Sequence, residues 1–218
     1  MTKTVPEKLL DIFQRLFDRY GPQSWWPADD PFEVIVGAIL TQSTAWTNVE
    51  QAISNLKGAK TLTPTTLYDL PLDRLAQLIR PSGYYNAKAL KLKAFTDRLH
   101  SKYDDELDRL FTLDTVLLRP ELLSIYGIGE ETADSIILYA AGRPIFVIDA
   151  YTKRIISRLG LAPETDSYGA FQVLFTDNLP QDEGLFNEYH ALLVRHGKEV
   201  CRKMPRCTIC CLRSLCSH

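Results

Sequence analysis

Apolar residues recur at helical spacing along most of the chain. Leu9, Ile12, Phe13, Leu16, Phe17 and Tyr20 form one such stripe, and Gly21-Pro22 ends it. Phe32, Ile35, Val36, Ile39 and Leu40 form a second. Ala89, Leu90, Leu92, Phe95 and Leu99 form a third after a break at Pro81-Ser82-Gly83, and Leu185, Tyr189, Leu192 and Leu193 form a fourth. Turn signals at Gly58, Pro64, Pro71, Pro120, Gly142-Arg143-Pro144, Gly160 and Pro163 cut the chain into many short helices. Two-residue alternation is scarce. Ile145 to Ile148 is a short apolar run between helical patterns, so it is expected as a buried connector. The pattern predicts an all-α fold with no internal repeat or long linker.

Composition narrows the picture. At 218 residues and 45% hydrophobic, the chain can form one large or two small domains with a packed core. No apolar run reaches the length of a membrane span. Met1 to Pro6 lacks the basic-then-apolar layout of a secretory leader. A soluble cytoplasmic protein with no membrane partner is expected. Net charge is −2, yet Arg195 to His218 carries six basic residues and one acidic, a local +5. Such a tail is either a phosphate-contacting surface or an ordinary solvated end.

All five cysteines fall in the last eighteen residues. An odd number crowded at one end of a cytoplasmic chain argues against a disulfide framework. Cys201, Cys207, Cys210 and Cys216 stand as C-x5-C-x2-C-x5-C. Four thiolates this close can close around one inorganic centre, zinc or an iron–sulfur cluster. Cys211 is left as a free thiol or a rival ligand. His100, His190, His196 and His218 show no ligand spacing and receive no role.

Upstream, Tyr126-Gly127-Ile128-Gly129-Glu130-Glu131-Thr132 reads as helix, G-x-G turn, helix. Both glycines are expected at positive φ, where the backbone can approach another surface. The first N–H groups of the following helix would suit a phosphate. A G-x-G turn alone is weak, since many helix turns use glycine. Asp149 follows Gly129 by twenty residues, after an apolar run and before a helical stretch. It is either an N-cap or a catalytic carboxylate, and the roles are compatible. The three tryptophans, Trp25, Trp26 and Trp46, flank helical segments. They are either core or a platform on which a base can stack. Tyr84 and Tyr85 read as packing residues.

Hairpin, aspartate and four-cysteine tail, in this order and spacing, resemble the endonuclease III branch of the helix-hairpin-helix DNA glycosylases over nearly the whole chain. The resemblance implies a two-lobed fold. One lobe is a six-helix barrel, residues 25–142, with the helix-hairpin-helix at about 116–141. The other, residues 1–24 plus 143–218, carries a [4Fe–4S] cluster on Cys201, Cys207, Cys210 and Cys216 in the loop 201–216, with zinc as the alternative. The first cysteine gap is one residue shorter than the family's. The resemblance further implies that the cleft between lobes binds double-stranded DNA and receives a flipped damaged base. Gly127, Gly129, Glu130, Thr132, Lys153, Arg202, Lys203 and Arg206 would contact DNA, and Gln42 would fill the hole left by the base. Asp149 would assist water attack on the glycosidic bond.

Lyase members of the family carry a lysine where this chain has Glu131. A carboxylate cannot form a Schiff base, so a monofunctional enzyme is expected. Trp25-Trp26-Pro27, the Thr41-Gln42-Ser43-Thr44 stretch, Trp46 and Pro81 to Asn86 resemble the 3-methyladenine DNA glycosylases of endonuclease III type. There the Trp-Trp-Pro segment and the residue at Trp46 line the base pocket. This implies a monomeric, nucleoid-associated repair enzyme for alkylated purines. The alternatives are a glycosylase/AP lyase for oxidised pyrimidines and a non-catalytic DNA-binding iron–sulfur protein.

Overall fold

The computed structural model describes residues 3–216. Met1, Thr2, Ser217 and His218 lie outside the described residues. Among the described residues the regular structure is all helical, with no strand. The α-helices are α1 (Val5–Tyr20), α2 (Pro31–Leu40), α3 (Trp46–Gly58), α4 (Pro64–Asp69), α5 (Leu72–Leu78), α6 (Tyr85–Tyr103), α7 (Leu107–Leu110), α8 (Thr115–Leu123), α9 (Glu130–Ser135), α10 (Ala150–Arg158), α11 (Tyr168–Thr176) and α12 (Glu183–Glu199). None of the described helices is long and apolar enough to cross a membrane. The chain divides into two compact units, one of residues 26–142 and one of residues up to 25 together with those from 143 onward.

In the 26–142 unit, α2 is the central helix. Asp30 caps it by accepting from the Glu33 amide, and every residue from Phe32 to Leu40 is buried. Such an all-round apolar helix needs partners on every side. It packs against α3, α6, α9 and a π-helical turn, Ile136–Ala140, that continues α9. Lys88 of α6 is buried in this unit, and its ammonium donates to the Leu40 and Ser82 carbonyls at 2.8 and 2.7 Å. It thereby satisfies a carbonyl at the α2 C-terminus that the helix cannot. Leu90, expected on the apolar stripe of α6, is instead 46% exposed. Ala89, Leu92, Phe95 and Leu99 are buried there, together with Lys88 and Thr96.

In the other unit, α1 starts at a capping box between Thr4 and Glu7 and stops at Gly21, whose φ is +65°. It packs on α12, as does α10. Ile145–Ile148 is non-helical and buried, as its apolar run predicts. It delivers Phe146, whose ring stacks on Phe175 at 3.8 Å and meets Tyr189 edge-on at 5.7 Å. Burying one such side chain contributes about 1.5–3 kcal/mol. The connector is therefore anchored immediately before Asp149.

Candidate functional site

The hairpin joins α8 to α9. Gly127 has φ +83°, and a Cβ there would overlap the Lys91 side chain, so glycine is required twice over. Gly129 corrects the expectation. It lies at φ −95°, ψ −178° as the N-cap of α9, and nothing stands within 4 Å of where its Cβ would be. Gln42 follows α2 and reaches the hairpin. Its amide nitrogen donates to the Gly127 carbonyl at 3.1 Å and to the Thr132 hydroxyl at 3.0 Å, while its oxygen accepts from Lys91 at 2.5 Å. Thr132 is buried, so it is a hairpin brace rather than a surface contact. These three bonds tie Gln42 to the hairpin and to α6.

Glu130, expected to contact DNA, has a cationic neighbour within the fold. Glu130 lies 3.5 Å from Arg119, which also holds the fully buried Asp134 through two hydrogen bonds at 2.7 and 3.1 Å. Glu130 and Glu131 both sit in the first turn of α9. Their charges offset the positive end of the helix dipole that the glycine turn alone would present.

The same unit gathers an aromatic cluster. Trp26 meets Trp46 edge-on, with ring centroids 5.1 Å apart and planes at 87°. It also meets Tyr139 at 5.3 Å. The Trp26 indole lies over Gly37 of α2, where a Cβ would come within 3.2 Å of it. Trp26 and Trp46 are half-buried and Pro27 is exposed. These rings are thus neither plain core nor free surface. Tyr139 was not anticipated. It falls in the π turn, and such widened turns recur at functional sites. Trp46 opens α3 and donates its indole N–H to Glu50, one turn on, at 2.9 Å. Trp25 belongs to the other unit, where the Lys198 ammonium lies 5.9 Å from its ring centroid. Tyr84 is corrected too. It is 76% exposed, and its φ of +45° is unusual for a bulky residue, so it is no packing residue.

Asp149 is the N-cap of α10, its Oδ1 accepting from the Thr152 amide at 2.7 Å. It is 8% exposed, and its Oδ2 lies 3.9 Å from Nε2 of His190. Burial lowers the His190 pKa against the opposing pull of Asp149. A histidine given no role in the sequence reading therefore flanks the carboxylate. The cap uses Oδ1 and leaves Oδ2 facing His190. The Lys153 ammonium donates to the Asp166 carbonyl at 2.9 Å and stands 5.2 Å over the Phe171 ring.

Cys201, Cys207, Cys210 and Cys216 line one cavity of 160 Å³, and all are free thiols. Cys211 is not among the lining residues. Among the described residues, no three His, Cys, Asp or Glu side chains converge as one metal ion requires. A zinc ion draws all four sulfurs to about 2.3 Å from a single point. An iron–sulfur cluster takes each thiolate on a different iron, so it tolerates a wider set. Arg158, Arg206 and Arg213 share the cavity wall, and Arg158 Nη1 is 3.3 Å from the Cys201 sulfur. Cationic walls around four thiols fit an anionic thiolate-bound cluster. Arg158 also donates to the Arg202 and Lys203 carbonyls at 2.7 and 3.1 Å. The side chains of Arg202, Lys203 and Arg206 are exposed, so this loop presents its positive charge outward. His196, another histidine assigned no role, sits 3.4 Å from the Cys210 sulfur.

The family model described as HhH-GPD superfamily base excision DNA repair protein matches residues 36–181. The chain is 48% identical to a Methanocaldococcus jannaschii protein provisionally named a DNA repair glycosylase, over 96% of each chain. A non-covalent endonuclease III–DNA complex is similar in fold, with a TM-score of 0.84 at 24% identity, covering 100% of this chain and 96% of that one. The H. pylori 3-methyladenine DNA glycosylase MagIII, bound to 1,N6-ethenoadenine, matches with a TM-score of 0.75 at 26% identity. That match covers 88% of this chain and 97% of the other.

Proposed function

The chain belongs to the HhH-GPD superfamily of base excision DNA repair proteins, and from that premise we propose that it is a monofunctional DNA glycosylase releasing alkylated purines such as 3-methyladenine. The observation that carries this reading is the Trp26–Trp46–Tyr139 cluster. Alkylation at N3 makes adenine a cation and a good leaving group. Electron-rich rings attract such a cation by about 0.5–2 kcal/mol, more when water is excluded. A normal base lacks the charge and gains less. Flipping is also easier from a damaged pair.

In this reading the rings of the 26–142 unit read the base. Asp149 stabilises positive charge developing on the sugar and orients the attacking water through its free oxygen, while its other oxygen keeps the cap. Glu131 stands in the hairpin where an amine nucleophile would be needed, so no Schiff base forms there. Gly127 and Gly129 bring hairpin amides to the DNA backbone. Arg202, Lys203 and Arg206 add charge at phosphates, and Gln42, with the exposed Tyr84, occupies space left by the extruded base. Cys201, Cys207, Cys210 and Cys216 would hold a [4Fe–4S] cluster, which when bound cross-links the loop that carries those cations. The enzyme would act as a cytoplasmic monomer on duplex DNA.

Borohydride trapping tests the monofunctional part. Incubation with a duplex bearing the lesion should give no covalent protein–DNA adduct. A trapped adduct would instead favour a glycosylase/lyase.

A further inference from the structure

Beside the aromatic cluster, a cavity of 250 Å³ opens between Pro27, Trp46 and Ile53, with Glu33, Glu50 and Lys57 on its wall. Its size suits a single base rather than a drug-sized molecule, which needs about 300–1,000 Å³. Two features give it a negative character. Glu33 is 4% exposed, and its partner Lys57 is shared, lying 2.8 Å from Glu33 and 2.7 Å from Asp29. One positive charge is thus divided between two carboxylates, and Glu50 adds a third that pairs with no cation among the described residues. Its hydrogen-bond partner is the Trp46 indole N–H, a neutral donor.

We propose that this cavity is the charge-selecting part of the base subsite, with Glu50 as the residue that favours a cationic purine over a neutral one of the same shape. The proposal rests on the alkylated-purine reading above and goes beyond it by assigning the discrimination to a carboxylate. Two effects act together. Glu50 places a full negative charge one helical turn from Trp46, on the wall of the same cavity. By accepting the indole N–H it also fixes the ring and raises its electron density, which strengthens attraction of a cation to the ring face. Neither effect helps a neutral base.

The test is Glu50→Gln, which keeps an oxygen to accept from Trp46 and removes only the charge. Two readouts are compared between wild type and variant. The first is kcat/KM for release of 3-methyladenine from methylated DNA. The second is the Kd for a duplex containing 3-deaza-3-methyladenine, which has the same outline without the charge. For a charge pair at a partly exposed wall, kcat/KM should fall about fivefold. The Kd for the neutral analogue should change less than about twofold, the scale of a surface substitution that alters no contact. An unchanged kcat/KM, or equal changes in both readouts, overturns the role of Glu50 and leaves the broader function intact. Failure of the wild-type protein to release 3-methyladenine overturns both. If Glu50→Gln is poorly folded by circular dichroism, Glu50→Asp, which keeps the charge, should retain the wild-type preference, and loss of that preference counts against the proposal.

Discussion

Replacing Asp149 by asparagine separates the two roles that one side chain can hold. The cap bond runs from the Thr152 amide to Oδ1 at 2.7 Å. Asparagine can accept that bond with its amide oxygen, and Asn and Asp are nearly equal as N-caps. Folding stability should therefore change by less than about 0.5 kcal/mol, within the range of substitutions that break no named interaction. Alanine removes the acceptor and should cost about 1 kcal/mol. Catalysis should respond differently. A group that stabilises charge only in the transition state typically costs about 10²–10³ in rate when removed, or about 2.7–4 kcal/mol. His190, held neutral by burial 3.9 Å from the carboxylate, cannot replace the lost charge. The assay is single-turnover base release beside urea unfolding of the same samples, with lesion-duplex binding as a third readout. The expected pattern for Asp149→Asn is near-wild-type unfolding and binding with release lowered at least a hundredfold, on the magnitude above. A variant that unfolds early would make Asp149 a structural cap first. A variant that is stable and still turns over would remove it from the chemistry.

Other outcomes follow from the hairpin and its supports. Arg119→Met leaves the buried Asp134 carboxylate without its paired guanidinium and should destabilise the protein by about 3–5 kcal/mol in urea unfolding; adding Asp134→Leu should recover most of that loss. No recovery in the double variant would mean the cost lies elsewhere in the hairpin. Lys88 has its pKa lowered from 10.5 to about 8, chiefly by burial. Between those values the unfolded chain binds more protons, so this group contributes stability that grows from pH 8 to pH 10.5 and is lost as pH falls back through 8. The stability difference between wild type and Lys88→Met should widen over that window in parallel unfolding series, and a constant difference would contradict it. Purified protein should be brown, with absorbance near the violet end, and Cys207→Ser should bleach it; a colourless protein with one bound zinc would replace the cluster by the metal ion.

The parts of this account legible in the sequence are local. Gly21-Pro22 ends α1, Asp149 sits three residues before the amide it caps, and the cysteine spacing brings four thiols to one cavity. Each depends on residues close along the chain, where helical period and capping rules apply directly. What stayed hidden depends on distant partners. Gln42 meets Thr132 across ninety positions, and no spacing rule links them. Lys153 looks free until Asp166 and Phe171 fold back onto it. Tyr139 joins the tryptophans because the helix widens into a π turn, which composition does not signal. Leu90 sits on the predicted stripe but at its edge, where the helix already has enough apolar neighbours to cover the core. The Glu50 bond to Trp46 was within reach, since the pair stands at i and i+4 on one helix.

The central claim is that a charged, damaged purine leaves with help from a carboxylate and without an amine nucleophile. It is tested most directly on duplexes carrying 3-methyladenine or an oxidised pyrimidine, with base release and strand nicking scored separately. Release of 3-methyladenine with the abasic strand left intact is the predicted result. Release of the oxidised pyrimidine with concurrent nicking, and none of the alkylated purine, would contradict it.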